Sequence, residues 1–193
     1  MMKSSFVLLL CLAFSAVAFG QADTLRMYRL FELEAAHPDS VFYISLSREK
    51  LTEVPAIVAK FTKVRVLDLG KNKLSELPDF IGELKEIEVL DLSKNELAIF
   101  PNEICRLSHL KTLIINRNTF DQIPECFGYC TKVESIDLWE VPIAHFPQSM
   151  EQLKALKVIE IQGVKYGPSF QEALRKRLPW VDIRFDAPCD CME

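Results

Sequence analysis

The 193-residue sequence is poor in glycine and histidine and carries no excess of positive charge. Its 6 glycines are too few for a glycine-rich loop that would hold phosphate groups. The 3 histidines, His37, His109 and His145, fall at unrelated places, so nothing sets one beside a nucleophile or a second metal ligand. With 23 Lys and Arg against 27 Asp and Glu, the net charge is -4, which gives no electrostatic basis for binding nucleic acid. We therefore expect no enzyme, cofactor, metal site or nucleic-acid partner.

Long hydrophobic runs are absent except at the N-terminus. Residues 6–19 form an apolar run that follows Lys3, and it is shorter than the ~20 residues with which a helix spans a bilayer. Small residues at Ala16, Ala18 and Gly20 fit a signal-peptidase site. We interpret residues 1–20 as a cleaved signal peptide. This predicts a secreted or periplasmic protein with no membrane span after cleavage, and the alternative is an uncleaved N-terminal anchor.

A repeat of 23 residues organises the rest of the chain. Positions one, four and six of the units are almost all Leu, Ile or Val, and five units carry an apolar residue followed by proline in the same register. The alternation at positions three to seven predicts a short strand with one buried face. Because one unit cannot bury its own apolar side, the units should stack around a shared core. Six units start at Val41, Val64, Ile87, Leu110, Val133 and Leu156.

The pattern LxxLxLxxNxLxxLPxxIxxL resembles the leucine-rich repeat family, in its short 23-residue class with a Leu-Pro step. The resemblance covers residues 41–163 closely. It implies an α/β solenoid with a curved parallel β-sheet on the concave face and short helical or irregular segments on the convex face. It also implies that each asparagine at position nine points inward and binds turn carbonyl groups, which an amide can do because it has both donors and an acceptor. This ladder is limited to three units, at Asn72, Asn95 and Asn118.

The segments that flank the repeats are expected to be helical caps. Apolar residues at helical spacing in 24–36 predict a helix inside an N-terminal cap over residues 21–40. Ser169 and Glu172 fit a capping box, which predicts a helix and then a degenerate strand in a C-terminal cap over residues 164–186. Residues 187–193 are expected to form a mobile tail.

Five cysteines follow the predicted signal peptide. Cys130 occupies a core position of the repeat, which predicts a buried thiol. Cys105 and Cys126 fall on the convex side of adjacent units, where the geometry allows a disulfide without requiring one. Cys189 and Cys191 supply only two thiolates, fewer than a structural zinc site needs, so a loose tail is preferred to a metal or redox role. The cysteine-rich caps of many animal extracellular repeat proteins are absent, which favours a bacterial exported type.

Function is expected on the concave face, to which positions three, five and seven point. Position five is mostly acidic and position eight mostly basic, so we expect the two columns to neutralise each other, as in Asp68 with Lys71 and Asp91 with Lys94. Ile114 and Trp139 are apolar on adjacent strands, and tryptophan is enriched among residues that dominate binding energy. A C-terminal cap folded over the indole is the competing interpretation. We define the Trp139 patch, the predicted partner-binding site, as Ile114, Asn116, Asp137, Trp139, Glu160 and Gln162.

Together these features predict an exported, non-catalytic, monomeric binding module. Its partner is expected to be a protein or peptide that lies against the concave face. Two alternatives would use the same face: inhibition of a secreted enzyme, and binding of carbohydrate or cell wall. The second is suggested by the position of Trp139 among polar and acidic neighbours. The fold alone does not choose among them.

Overall fold

The computed structural model describes residues 26–186. These residues form a single eight-stranded parallel sheet in which the strands follow sequence order, so each new strand is added beside the previous one. The strands are β1 (Met27–Tyr28), β2 (Tyr43–Ser45), β3 (Val66–Asp68), β4 (Val89–Asp91), β5 (Thr112–Ile114), β6 (Ser135–Asp137), β7 (Val158–Glu160) and β8 (Asp182–Arg184).

The 23-residue period fixes the register of the sheet. Val66 lies opposite Val89, and Ile114 lies opposite Asp137, so equivalent positions of successive units form columns across the strands. Each of the strands β2 to β7 starts at position three, and its middle residue is fully buried. The residues on either side of that middle one face the concave surface, as the alternation predicts.

The convex side is built from five 3₁₀ helices of five residues each. Every one of them begins directly after the proline of its repeat, whose restricted φ leads the chain from extended backbone into the helix. Their ranges are Ala56–Lys60, Asp79–Glu83, Asn102–Arg106, Glu125–Tyr129 and Gln148–Gln152. A disulfide between Cys105 and Cys126 joins two neighbouring helices of this row, and their Cα atoms are 5.5 Å apart.

The core lies between the sheet and the 3₁₀ helices and runs without interruption along the stack. The largest fully buried side chains include Phe61, Phe120 and Phe127. Cys130 is a buried free thiol, as predicted, and desolvation raises its pKa to about 12. Such a thiol stays protonated at neutral pH, so its role is packing.

Residues 26–36 do not form the helix that was expected over residues 24–36. Met27–Tyr28 instead extends the sheet by pairing with β2, and the chain then makes two short 3₁₀ turns, Leu30–Glu32 and Pro38–Ser40. The reason is that β2 would otherwise leave the backbone groups on its edge unpaired. This requirement comes from a distant part of the sequence, so the local spacing of apolar residues does not reveal it.

The C-terminal segment contains helix α1 (Pro168–Arg177) followed by β8. The expected capping box at Ser169 and Glu172 is wrong, because the helix starts two residues earlier than an N-cap at Ser169 requires and Gly167 is its N-cap, without a side-chain capping bond. Proline at the first helical position explains the shift, since its missing N–H would have no intrahelical partner there.

Two predictions lie outside the described residues: the signal peptide over 1–20, and the tail over 187–193 with its two cysteines. Between residues 26 and 186, no helix combines the length and apolar character that crossing a membrane requires.

Candidate functional site on the concave face

On the concave face, the aspartate carboxylates at position five accept hydrogen bonds from nearby backbone N–H groups. At position five, Asp91 accepts a hydrogen bond from the N–H of Ser93, two residues later, at 2.8 Å. Asp68 and Asp137 make the same bond to the residues two positions on, at 2.9 and 3.0 Å. Asp68 also accepts a bond from the Ser45 hydroxyl at 2.8 Å. These bonds fix the turns that end β3, β4 and β6.

Position eight of each unit then adopts a left-handed backbone conformation. The φ angle lies between 54° and 67° at Arg48, Lys71, Lys94, Arg117 and Glu140, an uncommon conformation for residues other than glycine. Each of these N–H groups donates to a carbonyl of the next unit, for example from Lys71 to Ser93 at 2.7 Å. The stacking of one unit on the next therefore supports the strained turn.

The asparagine ladder lies buried behind this turn. The Nδ2 group of Asn95 donates to the carbonyls of Leu69 and Leu92 at 3.1 and 3.0 Å, and its Oδ1 accepts from the N–H of Leu74 at 3.0 Å. Asn72 and Asn118 make the equivalent bonds. Val141 takes this position in the fifth unit, and there the hydroxyl of Tyr166 donates to the Val141 carbonyl at 3.0 Å.

The structure brings the six residues of the Trp139 patch together on β5, β6, β7 and the turns after them. All six side chains are half-buried. All four polar ones are already bonded: Asn116 donates to Asp137 at 2.6 Å, Glu160 pairs with Arg184 at 2.5 Å, and Gln162 donates to the Phe185 carbonyl at 3.4 Å. What remains for recognition is mainly the apolar surface of Ile114 and Trp139.

The Trp139 side chain is held by its neighbours. The Arg117 guanidinium lies 4.1 Å from the centre of the indole ring, and its Nε is 2.7 Å from Oε2 of Glu140. The turn at Gly163 also lies close, since a Cβ atom there would be 3.3 Å from the indole Nε1. The indole is thus flanked by a charged side chain and by the turn of the last unit, which fixes its position.

The expected neutralisation of the acidic and basic columns is wrong. Asp68 and Asp91 make no ion pair with Lys71 and Lys94 in residues 26–186, because their carboxylates are occupied by backbone N–H groups and Ser45. The sequence did contain the signal for this, since aspartate two residues before a small residue is typical of a turn closed by the carboxylate.

Burial also changes the acidity of the central carboxylate. Desolvation raises the pKa of Asp91 to about 6, against the opposing effect of its bonds to Ser93, and the negative charges of Asp68 and Asp137 add to the rise. Across the described range, no group of three His, Cys, Asp or Glu side chains could hold a metal ion.

Comparison with known proteins agrees with this geometry. A family model described as "Leucine-rich repeat region" matches residues 41–180. The chain belongs to the leucine-rich repeat family. One solved structure similar to this leucine-rich repeat protein is titled "Plant peptide hormone receptor RGFR1 in complex with RGF2", with a TM-score of 0.52 and 27% identity over 62% of the chain. The match spans only 19% of that receptor's chain. No curated protein matches.

Proposed function

We propose that the protein is an exported binding module, of a bacterial type, that recognises a protein or peptide partner with the Trp139 patch and performs no catalysis. The observation that carries the proposal is the apolar pair of Ile114, on β5, and Trp139, in the turn after β6, at positions that are polar or glycine in the other units. Export rests on the composition of residues 1–20. The plant receptor of similar fold was solved with a bound partner, which supports recognition as the kind of activity.

The arrangement around the indole favours tight recognition. Arg117 and the Gly163 turn restrict the side chain before any partner arrives, so binding costs little further conformational entropy. Asn116, Asp137, Glu160 and Gln162 surround the apolar pair, all four with bonds already made. An apolar centre inside a polar rim is the usual anatomy of a protein interface.

Affinity capture from the native exported fraction tests the proposal. Three baits are compared: residues 21–193 unmodified, the same chain with Ile114→Ser and Trp139→Ser, and a control with Ile99→Ser and Tyr129→Ser. The control residues are exposed apolar side chains away from the concave strands. We expect the same protein from the unmodified and control baits and none from the patch variant. Equal recovery by all three baits would contradict the proposal.

A single substitution then measures the contribution of the indole. With the captured partner purified, Trp139→Ala should weaken binding by more than ~1 kcal/mol in titration calorimetry, because aromatic side chains at an interface centre dominate its energy. Circular dichroism must show that the variant remains folded. Unchanged affinity in a folded variant would place the site elsewhere.

Carbohydrate binding and enzyme inhibition are the competing functions. The engaged amide and carboxylate groups of the patch disfavour sugar recognition, since they have fewer lone pairs and N–H groups left to offer. A glycan array probed with the unmodified and patch-variant proteins decides the first alternative. A screen for secreted hydrolase activity lost in the presence of the protein decides the second.

A further inference from the structure

A row of basic side chains runs along the edge of the concave face, beside the Trp139 patch. We call it the basic ridge and define it as Arg48, Lys71, Lys94 and Arg117, position eight of the first four units. Since neighbouring strands are about 4.8 Å apart, the ridge is roughly 14 Å long. The left-handed backbone that these residues share repeats in register along it.

Three of the four ridge residues are exposed and unpaired. Among the ion pairs of residues 26–186, none includes Arg48, Lys71 or Lys94, and their side chains make no hydrogen bond there. Elsewhere, cations do find partners, as exposed Lys157 pairs with Glu134 and half-buried Lys111 with Glu88. The three ridge side chains therefore keep their positive charge available for a ligand, whereas the charges of Lys111 and Lys157 are neutralised by glutamates.

The ridge residues act on one another. Partial desolvation, and then the positive charges of Arg117, Lys71 and Arg48, lower the pKa of Lys94. Lys50 and Lys73 add two more cations to the same turns, against Glu49 and Glu96 in these turns and Asp68 and Asp91 on the strands before them. A positive strip on a protein of net charge -4 is a local concentration of charge that repels itself and attracts an anionic partner.

We propose that the basic ridge binds an extended acidic segment of the partner protein, whose carboxylates lie across Arg48, Lys71 and Lys94. The inference deepens the proposed function and rests on it. A peptide suits the site because about five extended residues cover the ridge. It also suits the site because the ridge ends at Arg117, which stacks on Trp139, so an acidic stretch on the ridge leads directly to the apolar patch.

Fluorescence anisotropy with a labelled Glu-Gly repeat peptide tests the inference, with a Gln-Gly peptide as the neutral probe. The proteins are the unmodified chain, Lys71→Gln with Lys94→Gln, and a control with Lys63→Gln and Lys132→Gln. The control removes the same charge at two exposed lysines that precede strands. We expect the ridge variant to bind the acidic peptide about three- to thirtyfold more weakly, from two exposed ion pairs. The control should bind as the unmodified chain does, and added salt should weaken binding in both.

Two outcomes would overturn the inference. One is an equal loss of binding in the ridge variant and the control, which would show that the net charge of the protein alone accounts for the effect. The other is ridge-dependent binding of a polyuronate with none of the acidic peptide, which would make the ridge a polysaccharide site. Capture of a partner through Trp139 that is insensitive to the ridge substitutions would leave the proposed function intact while this inference fails.

Discussion

Asn95 illustrates, at the scale of the residue, how polar groups of this protein serve the backbone first. Its amide joins three buried backbone groups from two units, and it is itself 7% exposed. On the concave side, the Asp91 carboxylate similarly stabilises a turn by accepting a hydrogen bond from the N–H of Ser93. A polar residue in the repeat is therefore not evidence of a binding site until its internal bonds have been accounted for.

Asn95→Ala should lower the free energy of unfolding by about 3 kcal/mol, because it leaves buried N–H and carbonyl groups without partners. Urea unfolding followed by circular dichroism measures the loss. Glu96→Ala, at the exposed neighbouring position, is the matched control and should change stability by less than ~0.5 kcal/mol. A loss below ~1 kcal/mol for Asn95→Ala would mean that water replaces the amide in the ladder.

Asp91 makes stability depend on pH in an unusual direction. Its pKa in the folded protein is about 6, above the ordinary value of 3.8, so the folded state holds the proton more tightly than the unfolded state. The contribution is fully present below about pH 4 and is lost as the pH rises through 6. Relative to Asp91→Asn, the unmodified protein should lose at most about 3 kcal/mol over this window, measured by urea midpoints at each pH. A difference that stays constant from pH 4 to 7 would show an ordinary carboxyl.

At the scale of the element, the repeat pattern predicted the strands and the buried Cys130 because these follow from apolar periodicity. The edge strand Met27–Tyr28 was missed because pairing with β2, rather than local spacing, decides it. The prediction that Lys71 and Lys94 pair with aspartates was wrong because it rested on their closeness in sequence. Asp68 and Asp91 instead bind backbone N–H groups two residues later. Bonds set by turn geometry are harder to infer than burial.

The 3₁₀ helices of the fourth and fifth units pack so closely that a side chain would not fit between them. A Cβ atom at Gly128 would lie 2.4 Å from Cβ and 2.7 Å from the carbonyl oxygen of Ser149. Gly128→Ala should therefore destabilise the protein by about 1–3 kcal/mol. Gly167→Ala is the control, since nothing lies within 4 Å of its added Cβ, and its effect should be smaller, limited to the poorer N-cap that alanine makes for α1. Equal thermal midpoints for the two variants would show that the helices move apart without cost.

At the scale of the whole molecule, the protein is a stack in which each repeat contacts only its neighbours. Such a molecule opens from its ends, so inner units are more protected than outer ones. The disulfide adds a covalent link between the third and fourth units, on the convex side of the units that contain β4 and β5. Arg117, shared by the basic ridge and the indole, belongs to the fourth unit, so the link supports the part of the stack where the two proposed surfaces meet.

Hydrogen exchange read by mass spectrometry should therefore be slowest in β4 to β6 and fastest at β1. Cys105→Ser with Cys126→Ser should remove about 3 kcal/mol of stability, by releasing the intervening loop in the unfolded chain. If opening is local, exchange should accelerate in β4 to β6 far more than in β2, because only the inner units lose a link. Equal acceleration in every strand would mean that the stack unfolds as one cooperative unit, and the disulfide would then stabilise both proposed surfaces only through global stability.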